Sequence, residues 1–305
     1  MQLSVIIPTY NRKEKLKACL QALSAQSYPA SEYEVLIVDD GSSDGTESFA
    51  SARGLMKPGQ LRYFRQPQKG PAAARNAGVA NARGRILLFL GDDIMASPGL
   101  LERHSAWHAA NAGADAALLG YVTWAETLKV TPFMKWLENG GPQFGYGELT
   151  DGAEADPARF FYTCNISLKK EFVTGNGLFD EDFKWAAYED LELGLRLKAR
   201  GLKLYYDKKA AAWHDHRTTL SAACARMLKV GESAELFRVK TGGAEAGRPA
   251  PFYLKVLRAL RFSVYFPLAR VLEHTAVSGH VFKYVMWYYR RRGAETFWKN
   301  RSGKA

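Results

Sequence analysis

The sequence predicts an α/β fold, in which a mostly parallel sheet is covered on both faces by helices and followed by a basic helical extension. Three observations lead there. Short apolar runs alternate with amphipathic stretches through the first 125 residues, acidic and small polar residues collect just after those runs, and positive charge gathers beyond residue 250.

Leu3 to Ile7, Val35 to Val38, Leu61 to Phe64 and Ile86 to Leu90 read as buried strands. Between them, Arg12 to Gln26 places Leu16, Cys19, Leu20 and Leu23 on one helical face. Gly45 to Arg53 is a shorter helix candidate, and Pro71 to Arg83 opens with proline at a permitted first-turn position. From Tyr121 to His216 the pattern loosens into Gly- and Pro-containing loops, then tightens into a helix, Glu189 to Arg200, ended by Gly201. Residues 217–305 read as mainly helical, interrupted by Gly242-Gly243 and by Pro249, Pro251 and Pro267. The expected organisation is therefore 1–216 as one domain, with halves 1–120 and 121–216, and 217–305 as a helical region.

A chain of 305 residues that is 47% apolar and 24% charged is an ordinary globular protein with one large body and an appendage. Cys19, Cys164 and Cys224 are odd in number and far apart, so they predict neither a disulfide framework nor a zinc site, and a reducing compartment fits best. The N-terminus runs directly into the first strand without a basic segment, so a cytoplasmic location is expected. No window reaches the ~18 uninterrupted apolar residues of a membrane span. Net charge is +11, yet residues 251–305 hold eleven Lys/Arg against two Glu, which leaves the rest of the chain nearly neutral. That distribution argues against a nucleic-acid-binding body.

In open α/β sheets, ligands bind outside the carboxyl ends of the strands. Pro8-Thr9-Tyr10-Asn11, Asp39-Asp40-Gly41-Ser42 and Gly91-Asp92-Asp93 follow three predicted strands and should converge on one rim. Paired aspartates there can hold a divalent ion, because hard cations choose oxygen ligands; an isolated Asp-Asp more often caps a loop. Asp39-Asp40-Gly41 is open to a phosphatase-like nucleophile or a simple turn. The first strand is followed by neither the Gly-x-Gly-x-x-Gly of a dinucleotide oxidoreductase nor the glycine-rich phosphate loop of a nucleotidylyltransferase.

Four segments in one order, Val5 to Arg12 (VIIPTYNR), Val38 to Thr46 (VDDGSSDGT), Gly70 to Gly78 (GPAAARNAG) and Leu88 to Asp93 (LFLGDD), resemble the donor half of family 2 glycosyltransferases. The resemblance continues through Thr163 to Leu168, Gly177 to Phe183, Tyr188 to Leu193 and Trp213-His214, covering residues 3–216. It implies a GT-A-type, Rossmann-like nucleotide-binding sheet with an acceptor-binding half, and an inverting transfer from a nucleotide diphosphate sugar. The resemblance places the donor base and ribose at Pro8, Tyr10, Asp39 and Asp40, with Thr9 and Arg12 in the same segment and Arg75 near the phosphates. A carboxylate accepting from an imide N–H favours uracil or thymine.

By the same resemblance Asp93 is the direct ligand of Mn2+ or Mg2+, Asp92 a ribose partner or support, and His214 a late histidine reaching the metal or diphosphate. His216 is a weaker candidate. The family's acidic residue two positions before the last Asp is Gly91 here, a departure that leaves open a degenerate, binding-only member. Asp190 matches the general base, with Glu189 beside it, although a carboxylate at a helix start is also an ordinary cap. Asn165 and Trp185 are acceptor-pocket candidates that packing explains equally well.

Phe252 to Phe266 sets Lys255, Arg258 and Arg261 three apart among apolar residues, and Val281 to Tyr289 is aromatic and ends in three arginines. An anionic membrane surface and a helical bundle with a solvated basic face are the two readings, the second allowing oligomers through these helices. The expected partners are a nucleotide-sugar donor and a glycan or lipid-linked acceptor.

Overall fold

The apolar runs of the N-terminal third become strands whose neighbours are set by their burial. In the computed structural model, which describes residues 1–51, 56–143, 145–243, 252–276 and 278–302, the order begins β1 (Leu3–Thr9), α1 (Lys13–Ser24), β2 (Tyr33–Asp39), α2 (Thr46–Ala50), β3 (Leu61–Arg65), α3 (Pro71–Asn81) and β4 (Ile86–Leu90). It continues with β5 (Ile94–Ala96), α4 (Leu100–Ala110), β6 (Ala116–Trp124), α5 (Pro132–Asn139), β7 (Glu154–Ala155), α6 (Pro157–Phe160), β8 (Asn165–Lys169), α7 (Lys170–Asn176), α8 (Glu189–Ala199) and β9 (Lys203–His214). Three long helices close it: α9 (Leu220–Lys240), α10 (Phe252–Thr275) and α11 (Gly279–Ser302).

The nine strands form one sheet in the order β3-β2-β1-β4-β8-β6-β9-β5, with β7 paired to β9. Every residue of β2 and β4 is buried, which requires both faces of the sheet to be covered. The α1 face carrying Leu16, Cys19, Leu20 and Leu23 is buried as its periodicity predicts. Pairing of β1 with β2 is parallel and runs to Thr9 opposite Asp39, and β1 with β4 is parallel with Ile6 opposite Phe89. Parallel pairing in these registers brings the strand ends Thr9, Asp39 and Leu90 to the same edge, so the polar segments that follow them share one rim.

The region 121–216 corrects the sequence reading, because it adds three strands, β7, β8 and β9, and the end of β6 to the sheet. Strand β8 pairs antiparallel with both β4 and β6, and β6 pairs parallel with β9. The pattern was hidden in β9 by Asp207-Lys208-Lys209, where the register shifts opposite Gly120/Tyr121. Asp207 holds that irregularity, accepting from Lys209 N–H at 2.8 Å and pairing with Arg103. Only the first four strands therefore make the predicted parallel sheet, and the rest extend it as a mixed one. At the far edge, β5 pairs antiparallel with β9, Ile94 opposite His214.

The described chain divides into two compact units, Met1–Leu128 with Glu148–His216, and Lys129–Gly147 with Arg217–Ala305. Residues 129–147, counted from sequence in the acceptor-binding half 121–216, thus group with the helices. Within the helical unit, Phe282 packs edge-on against Phe133 at 5.0 Å and tilts against Trp136 at 5.4 Å. Helices α9 and α11 approach through two glycines: a Cβ at Gly231 would strike the Arg290 carbonyl, and one at Gly293 the Leu228 carbonyl. Pro267 does not interrupt a helix as expected; it lies inside α10. Its ring is exposed, and Phe262, five residues earlier, is fastened to α11 by stacking on Tyr288 at 4.1 Å. Pro249 and Pro251 lie outside the described residues.

Candidate active site

The rim is built from loops that hold one another. Asn11 adopts a positive φ of 52°, a region asparagine tolerates better than most residues. Its side-chain oxygen accepts from Ser43 N–H at 2.8 Å, its own N–H donates to Ser42 Oγ at 2.8 Å, and Lys13 N–H donates to Asp44 at 2.9 Å. The loops after β1 and β2 are thereby laced together. Asp39, fully buried, accepts from Ser42 N–H at 2.7 Å and Tyr63 OH at 2.7 Å. Asp40 accepts from Gln66 Nε2 and Lys69 N–H at 2.8 Å and from Gly70 N–H at 2.9 Å, which fixes the start of α3. Beside these loops opens a groove of about 480 Å³ lined by Gly41, Arg65, Gln66, Pro67 and Gln68. Tyr10 is 40% exposed and Thr9 is buried.

Residues far apart in sequence meet at the acidic pair. Arg12 forks across it, Nη1 to Asp92 at 2.8 Å and Nη2 to Asp93 at 2.5 Å, with Nη2 also 3.0 Å from His216 Nδ1. Thr9 Oγ1 donates to Asp92 at 2.8 Å, and His214 Nε2 stands 3.1 Å from Asp93 Oδ2. The β5–β9 pairing delivers that histidine, and Asp215 N–H donates to the Asp93 carbonyl at 2.8 Å. Burial and the neighbouring Asp93 charge raise the Asp92 carboxyl above the usual carboxylate range against the pull of Arg12. Burial acts the same way on Asp93, but His214 and Arg12 outweigh it and hold that carboxyl well below the usual range. Burial lowers His216. A Cβ at Gly91 would lie 2.9 Å from Asp93 Oδ1, so a side chain there would displace that carboxylate.

A second cluster joins α3 to α8. Arg75 Nη1 donates to Glu189 Oε1 at 2.9 Å, and both side chains are more than nine-tenths buried. Arg75 Nε and Glu189 Oε2 make no hydrogen bond in this pair. The guanidinium also lies 5.4 Å from the Phe179 ring centre. Arg75 is thus no solvated helix arginine, and Glu189 is buried with its carboxylate engaged by Arg75. Its neighbour Asp190 is only partly buried, accepts from Leu191 N–H at 2.8 Å, and sits in the first turn of α8 after Tyr188 at φ 69°. Burial, with the Asp190 charge next in weight, raises the Tyr162 phenol to about 12. Gly70, at φ 96°, leaves room for Lys184, whose carbonyl oxygen a Cβ would meet at 2.8 Å. Trp185, one residue on, is 36% exposed.

Asn165 corrects the acceptor-pocket expectation. It is fully buried, its Oδ1 3.0 Å from His104 Nε2 and its Nδ2 donating to the Ala210 carbonyl at 2.9 Å. Every polar atom is spent inside the sheet, where Ser167 also bridges His104 and His108. Three residues beside the candidates were not singled out from sequence: Tyr63 and Gln66, which donate to Asp39 and Asp40, and Tyr162, whose phenol feels the Asp190 charge. Tyr63 was signalled by strand alternation, since it lies two positions before Arg65, which pairs opposite Asp39; the others carry no such signal.

The family model described as "Glycosyl transferase family 2" matches residues 4–173. Validoxylamine A glucosyltransferase of Streptomyces hygroscopicus subsp. jinggangensis is 30% identical over 229 residues, covering 68% of this chain and 54% of that protein. The chain spans 33% to 54% of the length of the curated relatives it first matches. Among solved structures, the mannosyltransferase PcManGT from Pyrobaculum calidifontis in complex with GDP-Man and Mn2+ aligns with a TM-score of 0.65 at 17% identity, covering 97% of this chain and 86% of that one. S. aureus TarS 1–349 in complex with UDP-GlcNAc aligns at 0.59 and 18% identity, covering 99% and 92%. At these identities the likeness establishes the fold, a GT-A-type sheet.

Proposed function

Because the chain belongs to glycosyl transferase family 2, we propose that it moves a sugar from a nucleotide diphosphate donor to a hydroxyl acceptor with inversion. The observation that carries this reading is the meeting of Arg12, Asp92, Asp93 and His214 at the strand-end rim, from positions up to two hundred residues apart. Two solved relatives of the fold hold GDP-Man with Mn2+ and UDP-GlcNAc, which supports a sugar nucleotide as donor. The groove lined by Gly41, Arg65 and Gln66 is assigned to the nucleoside, with Pro8, Tyr10, Asp39 and Asp40 as the contacts the family resemblance implies, and UDP or dTDP is the favoured donor class.

The donor set fits a divalent ion, since carboxylate oxygens of Asp93 and Asp92 and the imidazole of His214 suit Mn2+ or Mg2+. Among the described residues no group of three or more His, Cys, Asp and Glu is arranged as a cation cage, so further oxygens from a diphosphate would complete the coordination. Such an ion supplies positive charge against the departing diphosphate. Arg12, already at the acidic pair, adds a permanent cation beside it. Asp190 accepts the proton of the acceptor hydroxyl as its oxygen attacks the anomeric carbon; the bond to the diphosphate breaks on the opposite side. Glu189, tied to Arg75, holds the first turn of α8 in place. The acceptor is a glycan or lipid-linked hydroxyl in cell-surface assembly, and the basic C-terminal region brings the enzyme to an anionic membrane.

A thermal-shift screen of UDP, dTDP and GDP sugars with Mn2+ or Mg2+ tests the reading. A true donor at ~100 times its dissociation constant adds ~2.7 kcal/mol. The anomeric configuration of the product, read by NMR, is expected to be opposite to that of the donor. Retention of configuration, or no stabilisation by any donor, contradicts it.

A further inference from the structure

Helix α10 reverses the usual burial rule along its length. Tyr253, Leu257, Leu260, Val264, Leu268 and Val271 recur at three- or four-residue intervals, so they share one helical face, and each is 43% to 65% exposed. The helix has 24 residues, and the stripe runs most of its roughly 36 Å. Single exposed apolar side chains need no explanation; a continuous stripe of this length does. Packing uses the other side, where Ala269 and Glu273 are buried.

Charge around the stripe has one sign. The single acid of α10, Glu273, is buried and accepts from Leu220 N–H at 2.7 Å. The single acid of α11, Glu295, pairs with Arg291 at 3.4 Å. Arg261 and Arg270 are exposed on α10, and Lys283, Arg290 and Arg292 on α11. Arg261 lies over the Tyr284 ring at 4.4 Å and the Tyr265 ring at 4.8 Å, and Arg258 over Trp287 at 5.6 Å. Arginines on tyrosine and tryptophan rings beside an apolar stripe make a surface with a wet, cationic edge and a dry centre. No helix among the described residues is long and apolar enough to cross a membrane. A second copy of this chain would set the same cations against each other with no unpaired acid on these helices to answer them. A layer of anionic headgroups answers both the charge and the hydrocarbon.

We propose that this face of α10 docks on an anionic lipid surface, its apolar side chains entering the headgroup boundary while Arg261 and Arg270 meet lipid phosphates. The inference rests on the membrane reading of the basic region and names the surface that carries it. The test is co-sedimentation of the full chain with vesicles of phosphatidylcholine alone and of phosphatidylcholine mixed with phosphatidylglycerol, at low and high salt. Binding is expected only to the mixed vesicles and is weakened by salt, as screening shortens the reach of the cations. The variant Leu257→Ser/Leu260→Ser/Val264→Ser should lose about a hundredfold in vesicle partition. Arg261→Gln/Arg270→Gln should lose roughly thirtyfold and much of the salt dependence. Wild-type protein that stays in the supernatant overturns the membrane reading as a whole. Equal sedimentation of wild type and the triple serine variant leaves lipid binding standing but overturns the α10 face. A wild-type dimer in sedimentation velocity that the same variant converts to monomer assigns the stripe to a second copy and overturns the proposal too.

Discussion

In the sheet unit Asp39, Asp40, Arg75, Asp92, Asp93 and Glu189 are buried, whereas in the helical unit seven large apolar side chains of α10 stand in solvent. Both regions depart from the ordinary distribution of residues, in opposite directions. Buried charge survives only where partners are positioned for it, as Arg12 is for the acidic pair and Arg75 is for Glu189. Exposed hydrocarbon survives where folding gains nothing by covering it. The sheet unit has therefore invested stability in a fixed arrangement of charges, and the helical unit has left an apolar surface that its own packing does not cover.

The contrast breaks most visibly at Glu189. Glu189→Ala strands the Arg75 guanidinium in the interior and is expected to cost about 3 to 5 kcal/mol in urea unfolding. Arg75→Met with Glu189→Leu should recover most of that loss, because two apolar side chains need no partner. If Glu189→Ala unfolds like wild type, the pair is not a structural tie between α3 and α8.

Next in size is an acid transition. Burial lowers His104 to about 4, and burial with the charges of His104 and Lys169 lowers His108 to about 3. Both lie below the ordinary 6.5 of an unfolded histidine, so as pH falls past that value the unfolded chain takes up protons that the fold refuses. Stability is full above about pH 6.5 and declines toward pH 4, by about 3 kcal/mol for His104 alone. Unfolding measured across this window in wild type and His104→Gln should show a shallower slope in the variant. Equal slopes would mean that the imidazole is not held neutral by the sheet.

The smallest effect belongs to α10. Leu257→Ser/Leu260→Ser/Val264→Ser should leave urea stability within ~0.5 kcal/mol per site, as exposed positions do. A larger loss would show that the stripe is already covered within the fold, and the comparison between the two units would weaken.

What could be read from the sequence follows the same division. Strands β1, β2 and β4 were legible because they are buried on both faces and so are continuously apolar. Strand β9 was legible only in the short apolar run before His214, since Asp207-Lys208-Lys209 interrupts the rest at a bulge that only its pairing with β6 explains. The ordered motifs located Asp92, Asp93 and His214, but nothing local announces that Arg12 spans both carboxylates, because that contact is made by strand ends about 80 residues apart. Asn165 misled for a related reason: a polar residue at a strand start reads as a ligand until His104 is seen to take its amide oxygen. The grouping of 129–147 with the helices depends on long-range packing, such as Phe133 against Phe282, that no periodicity encodes.

The central claim is that the fixed charges of the sheet unit serve glycosyl transfer with Asp190 as the base. Its most direct test is the turnover of Asp190→Asn beside its affinity for the donor, since the amide keeps the shape of the side chain but cannot accept a proton. Transfer is predicted to fall by ~10²- to 10⁴-fold, equivalent to ~3 to 5 kcal/mol of barrier, with donor affinity unchanged. Turnover that stays within about threefold of wild type, far short of that loss, would contradict the account and move the base elsewhere.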